Sequence, residues 1–207
     1  MSLDAAQHTR GESQFTDDLP EPEGCAFGAI FTSPIAHGKL IALHMDEALA
    51  APGVLRILTA ADVPGENQIG AIVPDEPLFA ETDLHHEGQP IALVIASTPE
   101  AARAARRLIR ADYEELEAVT CPREAARRGQ FIVPSRSLGN ANEAELAAAF
   151  AKASTVVEGT ATMGGQEHLY LENQASLAAP LEGGRLRIYA GTQGPTAVQR
   201  VSARVLG

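Results

Sequence analysis

Short hydrophobic runs, separated by proline, glycine and polar residues, divide the first part of the chain into strand-sized segments. The run at 91–96 is entirely apolar and stands between Pro90 and Ser97, which is typical of a buried strand. Ser33-Pro34 closes an earlier run, because proline disfavours the continuation of regular structure. Five segments are predicted to be strands: 25–32, 39–45, 54–58, 91–96 and 111–117.

A helical pattern follows the buried strand. Thr98 is a good N-cap, Pro99 suits the first helical position, and Glu100 lies near the positive end of the helix dipole. The predicted apolar stripe comprises Ala101, Ala104, Ala105 and Leu108, and the predicted solvent side comprises Arg103, Arg107 and Arg110. Strands with such a helix predict a mixed α+β domain over residues 24–118.

Capping and breaker residues predict the remaining organisation. Asp46 is expected to cap a short helical turn, Asn142 a helix over 142–152, and a short basic helix is expected at 123–128. Two polar, irregular stretches flank or interrupt these elements. They are an arm or loop at 4–23 and a long connection at 62–90, of a length that is usually functional or packed against a partner.

The last block of the chain has a different pattern. Residues 155–163 alternate, which predicts a strand, and 176–180 with 186–189 predict a hairpin. Pro195 then begins a predicted helix in which Val198, Val201 and Val205 share a face. A piece this small leaves a sheet edge and a helix face uncovered. We therefore expect it to be the opening of a larger, truncated domain.

Charge and cysteine content narrow the function classes. The net charge of −11, from 16 basic and 27 acidic residues, argues against a nucleic-acid partner, which needs a basic face. Cys25 and Cys121 have no spacing for zinc or redox chemistry, and two reduced, buried thiols are favoured over a disulfide. No secretory signal is seen, the first three residues read as an expression remnant, and we expect a soluble, cytoplasmic protein.

Most candidate chemical motifs are weak. No glycine-rich nucleotide fingerprint is present, and His85-His86-Glu87 places adjacent side chains on opposite sides of an extended segment. His168 and Glu172 would share a face on a helix, yet two ligands do not make a metal site, and a solvated pair is favoured. Ser33 and His37 lack the acid of a catalytic triad.

The most informative segment is the run Gly-Gly-Gln-Glu-His-Leu-Tyr-Leu-Glu at 164–172. Paired glycines let a ligand approach the backbone closely, and the Gln166 amide can donate a hydrogen bond to an oxo group without adding charge. From the residues alone, a ligand site and a turn that merely links two strands are equally supported.

This run resembles the Gly-Gly-Gln-Glu-His-Phe-Tyr-Leu-Glu motif of the molybdenum hydroxylases, the xanthine dehydrogenase and aldehyde oxidase family; Leu169 stands where the family usually has Phe. The resemblance extends over nearly the whole chain and is closest to the molybdenum-binding subunit of the bacterial xanthine dehydrogenases. Further motifs that carry it, in order, are Gly11 with 15–20, Ser-Pro-Ile-Ala-His-Gly at 33–38, 62–67, 75–80, 88–90, 113–116 and 192–199.

The resemblance implies an α+β fold class: an α/β hammerhead domain followed by the start of a molybdopterin-binding domain. The expected boundaries are a disordered arm or expression remnant at 1–10, the hammerhead at 11–118, a linker at 119–144 and the beginning of the second domain, truncated, at 145–207. The expected cofactor contact is Gln166, which stands at the glutamine that hydrogen-bonds the molybdenum centre in the family. No catalytic or metal-ligating residue is assigned, because the family's substrate-binding residues and general-base glutamate are expected beyond residue 207.

The resemblance also implies an activity and partners. The parent protein is expected to hydroxylate hypoxanthine and xanthine to urate with molybdenum held by molybdopterin, whereas this chain alone is expected to be inactive. Electrons are expected to pass through iron–sulfur clusters and FAD on a small partner subunit to NAD. Two alternatives remain open: a relative acting on aldehydes or other heteroaromatics, and a non-catalytic hammerhead interaction module.

Overall fold

The structure is a computed structural model that describes residues 5–70, 72–170 and 174–207. The described parts of Met1–Ala118 and Glu172–Gly207 form one compact unit, and those of Val119–Leu171 form a second. The helices are α1 (Ala5–Arg10), α2 (Asp46–Leu49), α3 (Pro99–Arg106), α4 (Pro122–Arg127), α5 (Glu143–Lys152) and α6 (Pro195–Leu206). The strands are β1 (Phe27–Thr32), β2 (Gly38–His44), β3 (Val54–Leu58), β4 (Asp83–Leu84), β5 (Pro90–Ala96), β6 (Arg110–Glu115), β7 (Ser176–Leu181) and β8 (Arg185–Ala190).

The first sheet has the order β1-β5-β3, with both outer strands antiparallel to β5. The apolar run at 91–96 forms this central strand, as its pattern predicts; one face of it is buried, and Leu93 and Ile95 on the other face are half-buried. Ile91, Ala92, Val94 and Ala96 are each at most 1% exposed. The strands predicted near 25–32 and 54–58 are confirmed as β1 and β3.

Helix α3 packs against this sheet and begins as its sequence predicts. The Thr98 hydroxyl oxygen accepts a hydrogen bond from the backbone N–H of Ala101 at 3.1 Å. The predicted apolar stripe is partly wrong: Ala104 is exposed, and Ala102 is buried instead. The helix ends at Arg106, so Arg110 belongs to β6 rather than to the helix. Arg110 pairs with His44 of β2, so the chain is a strand at this position although the helical pattern of the sequence continues to it.

The second sheet has the order β4-β2-β6 and is also antiparallel. The predicted strands at 39–45 and 111–117 are confirmed as β2 and β6 with small shifts at their ends. A register irregularity between Leu40 and Ala42 places an additional residue, Ile41, in β2. The N-cap of α2 is Met45, so Asp46 lies in the first turn instead of capping it, where its negative charge still favours the helix dipole.

The N-terminal arm contains more regular structure than its polar composition predicts. Residues 5–10 form α1 and residues 16–18 form a 3-10 turn, so the expectation of an irregular arm is wrong there. Alanines at positions 5 and 6 have the strongest helix propensity, which explains the local helix. The first four residues, including the predicted expression remnant, lie outside the described residues.

In the last block the predicted hairpin and helix are confirmed as β7, β8 and α6. The strand predicted at 155–163 is wrong, because these residues have no regular secondary structure. A strand requires a pairing partner, and β7 and β8 pair with one another in a two-stranded sheet. Alternation also predicts one buried face, yet Val157 is 90% and Met163 is 89% exposed.

The two cysteines are free, which agrees with the reduced state favoured from sequence. Their predicted burial is wrong: Cys25 is half-buried and Cys121 is exposed, immediately before α4. Within the described ranges, no helix combines the length and the apolar character needed to cross a bilayer.

Asp62 stabilises the 3-10 turn Ala60–Asp62 that follows β3. Its carboxylate accepts hydrogen bonds from the Thr59 backbone N–H at 2.9 Å, the Thr59 hydroxyl at 3.1 Å and Arg56 Nη2 at 3.1 Å. These bonds, led by that of the Thr59 backbone, lower the pKa of Asp62 below its ordinary value. Stability from a depressed pKa is present above the unfolded pKa and is lost as the pH falls through the folded pKa.

We therefore expect Asp62→Asn to lower the thermal midpoint at neutral pH, and the difference from wild type to shrink on acidification to roughly pH 3. Thermal unfolding of both proteins across this range measures the effect. A difference that stays constant with pH would contradict the ionised cap.

Candidate functional site

The motif segment 164–170 has irregular backbone and lies in the unit Val119–Leu171. All seven of these residues are exposed, and residues 171 and 172, which complete the motif, lie outside the described residues. A Cβ added at Gly164 or Gly165 would meet no atom within 4 Å. The space beside both glycines is therefore open to a group that approaches the backbone.

Gln166 presents its side-chain amide from this open segment. Within residues 5–70, 72–170 and 174–207, no hydrogen bond to that amide is made. The amide offers two N–H donors and a carbonyl acceptor, all without formal charge. Such a group can orient an oxygen-rich ligand without changing the charge of the site.

Two local features mark the residues after Gln166. The backbone N–H of His168 donates to Glu167 Oε1 at 3.0 Å. Leu169 has a φ of 49°, a left-handed conformation that is uncommon for residues with a Cβ. His168 is exposed and does not lie on a helix, so the helical arrangement that a metal pair with Glu172 would need is absent at His168; Glu172 itself lies outside the described residues.

Arg123 contacts this part of the chain, which its sequence context did not indicate. The Arg123 Nη2 atom in α4 donates to Thr162 Oγ1 at 2.8 Å, four residues before Gln166. From the sequence Arg123 is predicted only as part of a short basic helix, because a hydrogen bond across 39 residues has no local pattern. This contact joins α4 to the backbone that leads into the motif.

The other candidate motifs have local structural roles. Ser33 is 2% exposed, and its hydroxyl donates to the Ile35 carbonyl at 2.9 Å. His37 Nδ1 lies 2.7 Å from the Glu117 carbonyl oxygen. Ser33 and His37 therefore contact backbone carbonyls near a turn and a strand end and do not form a catalytic triad. His86 Nδ1 lies 3.0 Å from the Glu87 carbonyl oxygen. In the part of the chain that the structure describes, no three metal-ligating side chains come together.

Two further titratable groups have shifted pKa values outside the motif. Burial raises the pKa of Tyr113, which packs against the cluster of Ala80, Leu84 and Ile91. Hydrogen bonds from Arg127 and then Arg128 lower the pKa of Glu124 in α4. Both shifts are explained by packing or ion pairing, and neither residue lies in the motif.

Comparison with known proteins identifies the two segments of the chain. Residues 10–117 match the family model described as aldehyde oxidase and xanthine dehydrogenase, a/b hammerhead domain. The chain belongs to the xanthine dehydrogenase and aldehyde oxidase family. Residues 131–207 match the molybdopterin cofactor-binding domain, and molybdopterin is the cofactor that this domain binds. The α+β fold with a hammerhead domain is thereby confirmed.

Individual relatives agree with this membership. The chain is 37% identical over 208 residues to a xanthine dehydrogenase of Emericella nidulans, covering 99% of this chain and 15% of the relative. It is equally 37% identical over 208 residues to aldehyde oxidase 2 of Cavia porcellus, covering 100% and 15%. The chain therefore spans about 15% of the length of these curated relatives.

Two solved structures share the fold. Quinoline 2-oxidoreductase from Pseudomonas putida superposes with a TM-score of 0.78 at 26% identity, covering 100% of this chain and 28% of that chain. Aldehyde oxidoreductase from Desulfovibrio gigas superposes with a TM-score of 0.82 at 24% identity, covering 99% and 24%.

The motif of this family member fits a molybdopterin cofactor by the chemistry of its donors. Gln166 supplies an uncharged N–H donor, and the open flank of Gly164 and Gly165 leaves room for the cofactor to reach the backbone. No carboxylate, imidazole or thiol cluster competes for direct metal ligation among the described residues. The arrangement is therefore suited to hydrogen-bonding a cofactor instead of ligating its metal.

Proposed function

We propose that this chain is part of the molybdenum-cofactor subunit of a xanthine dehydrogenase. The observation that carries the proposal is the motif at 164–170 in a chain that is 37% identical, over 99% of its length, to a xanthine dehydrogenase. The reaction converts xanthine, water and NAD⁺ into urate, NADH and a proton. The molybdenum cofactor, when bound, supplies the two-electron oxidation and the transfer of a water-derived oxygen that this hydroxylation requires.

Within that reaction we assign Gln166 the role of orienting the cofactor by hydrogen bonding. Its exposed amide and the open glycine flank support this role. A neutral donor stabilises negative charge on an oxygen without the desolvation cost of burying a cation. We place Gly164 and Gly165 beside it as the positions where backbone and cofactor come closest.

We propose the domain arrangement that the sequence predicts: the hammerhead over 11–118, a linker over 119–144 and the molybdopterin-binding domain from 145. The family matches at 10–117 and 131–207 support the order of the two domains. The iron–sulfur clusters and FAD of this family are carried on other domains, and we propose a small partner subunit for them in a cytoplasmic complex.

The test is made on the native complex, captured from its source with an antibody against this chain. Xanthine and NAD⁺ are supplied, and urate, NADH and molybdenum content are measured. We expect urate and NADH in equal amounts, with molybdenum present. We also expect the 207-residue chain by itself to form no urate, because no residue of it is assigned as the family's general base.

The second candidate is a relative that oxidises aldehydes or other heteroaromatics. The specific observation in its favour is the equal identity, 37%, to aldehyde oxidase 2 of Cavia porcellus. A complex that contains molybdenum and oxidises an aromatic aldehyde but forms no urate would select this candidate. A complex without molybdenum would overturn both and favour a non-catalytic hammerhead module.

A further inference from the structure

Residues 64–70, the first limb (first part) of the long loop, contact the C-terminal end of α6, which is distant from them in sequence. The backbone N–H of Gly65 donates to the Val205 carbonyl at 2.9 Å, and that of Glu66 donates to the Arg204 carbonyl at 2.9 Å. Gly207 has a φ of 81°, the left-handed conformation that commonly ends a helix, so these two carbonyls belong to a terminal helical turn and accept their bonds from the loop. The loop therefore caps α6 with two of its own amides.

Arg204 makes the contact reciprocal. Its Nη1 atom donates to the carbonyl oxygen of Gly70 at 3.2 Å, across 134 residues of sequence. The Arg204 side chain is half-buried and Gly70 is buried, so this bond is shielded from water more than a surface contact would be. The two segments are thus joined in both directions, backbone to helix end and helix side chain to loop.

The position of Gly65 cannot accept a larger residue. A Cβ added there would lie 2.2 Å from the Arg204 carbonyl oxygen and 2.6 Å from the Gly207 nitrogen. Both are backbone atoms, which cannot rotate away as the end of a side chain can. Glycine is required here for close approach of two backbones, because any Cβ would push the loop off the helix.

The same limb is held rigid from its other side. The Asn67 side chain donates to the Phe79 carbonyl at 2.8 Å and accepts from the Phe79 backbone N–H at 2.9 Å. Gln68 Oε1 accepts from the backbone N–H groups of Gly70 and Glu76. Two side-chain amides therefore fix the limb to residues 76–79 of its own domain before it meets the helix.

We propose that residues 64–70 are a docking surface for the C-terminal turn of α6, through which the hammerhead domain holds this helix of the cofactor-binding segment. The loop lies in the segment matched to the hammerhead, and α6 lies in the segment matched to the molybdopterin-binding domain. Gly65 and Arg204 are its positioning residues. The sequence left the function of the long loop open, and we assign this contact to its first part, residues 64–70. The assignment does not depend on the identity of the substrate.

The experiment is hydrogen–deuterium exchange on the full-length subunit, followed on peptides that span 64–70 and 199–206. In Gly65→Ala we expect exchange in the 64–70 peptide to accelerate about tenfold, the upper range for losing one net hydrogen bond, because the Gly65 and Glu66 amides are the backbone donors of the contact. The 199–206 peptide supplies the acceptor carbonyls, so its exchange should accelerate less, through loosening of the helix end. Exchange in β5 should stay at the wild-type rate, which shows that the domain remains folded. Gly159→Ala is the matched control, because a Cβ at Gly159 meets no atom within 4 Å.

Arg204 provides a test that does not depend on the folding of the glycine variant. Arg204→Met, which keeps the aliphatic stem but lacks the donor, should accelerate exchange in the same two peptides several-fold, and Arg204→Lys should restore most of the protection. Protection in 64–70 that is unchanged in both Gly65→Ala and Arg204→Met would overturn the proposal. So would equal acceleration in β5, since the residues would then support the whole fold and not this contact.

Discussion

Replacing Gln166 by alanine in the full-length subunit is expected to lower kcat by about 100-fold, the lower range for losing one hydrogen-bond donor at a reacting centre. The reason is the assigned contact: the neutral amide donates to the cofactor, and alanine cannot. Stability is expected to be unaffected, because the Gln166 side chain is exposed and makes no hydrogen bond within the described residues. Steady-state kinetics and thermal unfolding of the same preparation measure the two effects separately.

Three variants sharpen this test. Gln166→Glu matches the shape of the side chain but, when ionised, accepts hydrogen bonds only, so its kcat should be as low as that of alanine. Gln166→Asn keeps a donor on a shorter stem and should retain part of the activity. Gln130→Ala is the control, an exposed glutamine of the same unit that lies outside the motif. Wild-type kcat in Gln166→Ala with normal molybdenum content would refute the assigned role.

Replacing Ile91 by alanine is expected to lower the free energy of unfolding by about 2–5 kcal/mol, the usual range for truncating a buried isoleucine. Ile91 is 1% exposed and forms a cluster with Ala80 and Leu84, against which Tyr113 also packs. Alanine would leave a cavity that rigid sheet neighbours cannot fill. Urea unfolding of the 207-residue chain measures the loss from the shift of the midpoint at constant slope.

Ile132→Ala is the matched control for Ile91. The same atoms are removed, but Ile132 is 97% exposed, so the expected change in unfolding free energy is within about 0.5 kcal/mol. Equal losses in the two variants would mean that the β5 cluster is not the core of the unit. The comparison tests burial alone, since side-chain chemistry is the same in both.

Most strands and helices of the hammerhead segment were predictable from the sequence, because each carries its own local signal. The run at 91–96 is apolar throughout, which predicts a strand without reference to its neighbours. Thr98 as N-cap and Pro99 as first helical residue likewise predict the start of α3 from local sequence alone. The predictions were wrong where a local pattern depends on a partner that is distant in sequence. Residues 155–163 alternate like a strand but find no strand to pair with, and Arg110 was assigned to a helix although pairing with β2 places it in β6.

The candidate residues of the site could be named from the sequence because they lie in one short motif. Gln166 and the two glycines were singled out from nine consecutive residues; the structure shows open space beside both glycines, and the cofactor contact stays a prediction. Arg123 was not found, because its bond to Thr162 spans 39 residues and neither residue belongs to a motif. Residue spacing within a segment reports local chemistry, whereas the partner of a long side chain depends on how the chain folds back.

The sequence by itself determined the family, the order of the two domains and most strands and helices, because hydrophobic period, caps and short motifs are local properties. Only the tertiary structure decided what the long loop contacts. The amides of Gly65 and Glu66 have no sequence signal, since every residue except proline carries the same N–H group. Their partners are the Val205 and Arg204 carbonyls of α6, and no pattern within either segment reports that the loop and the helix meet.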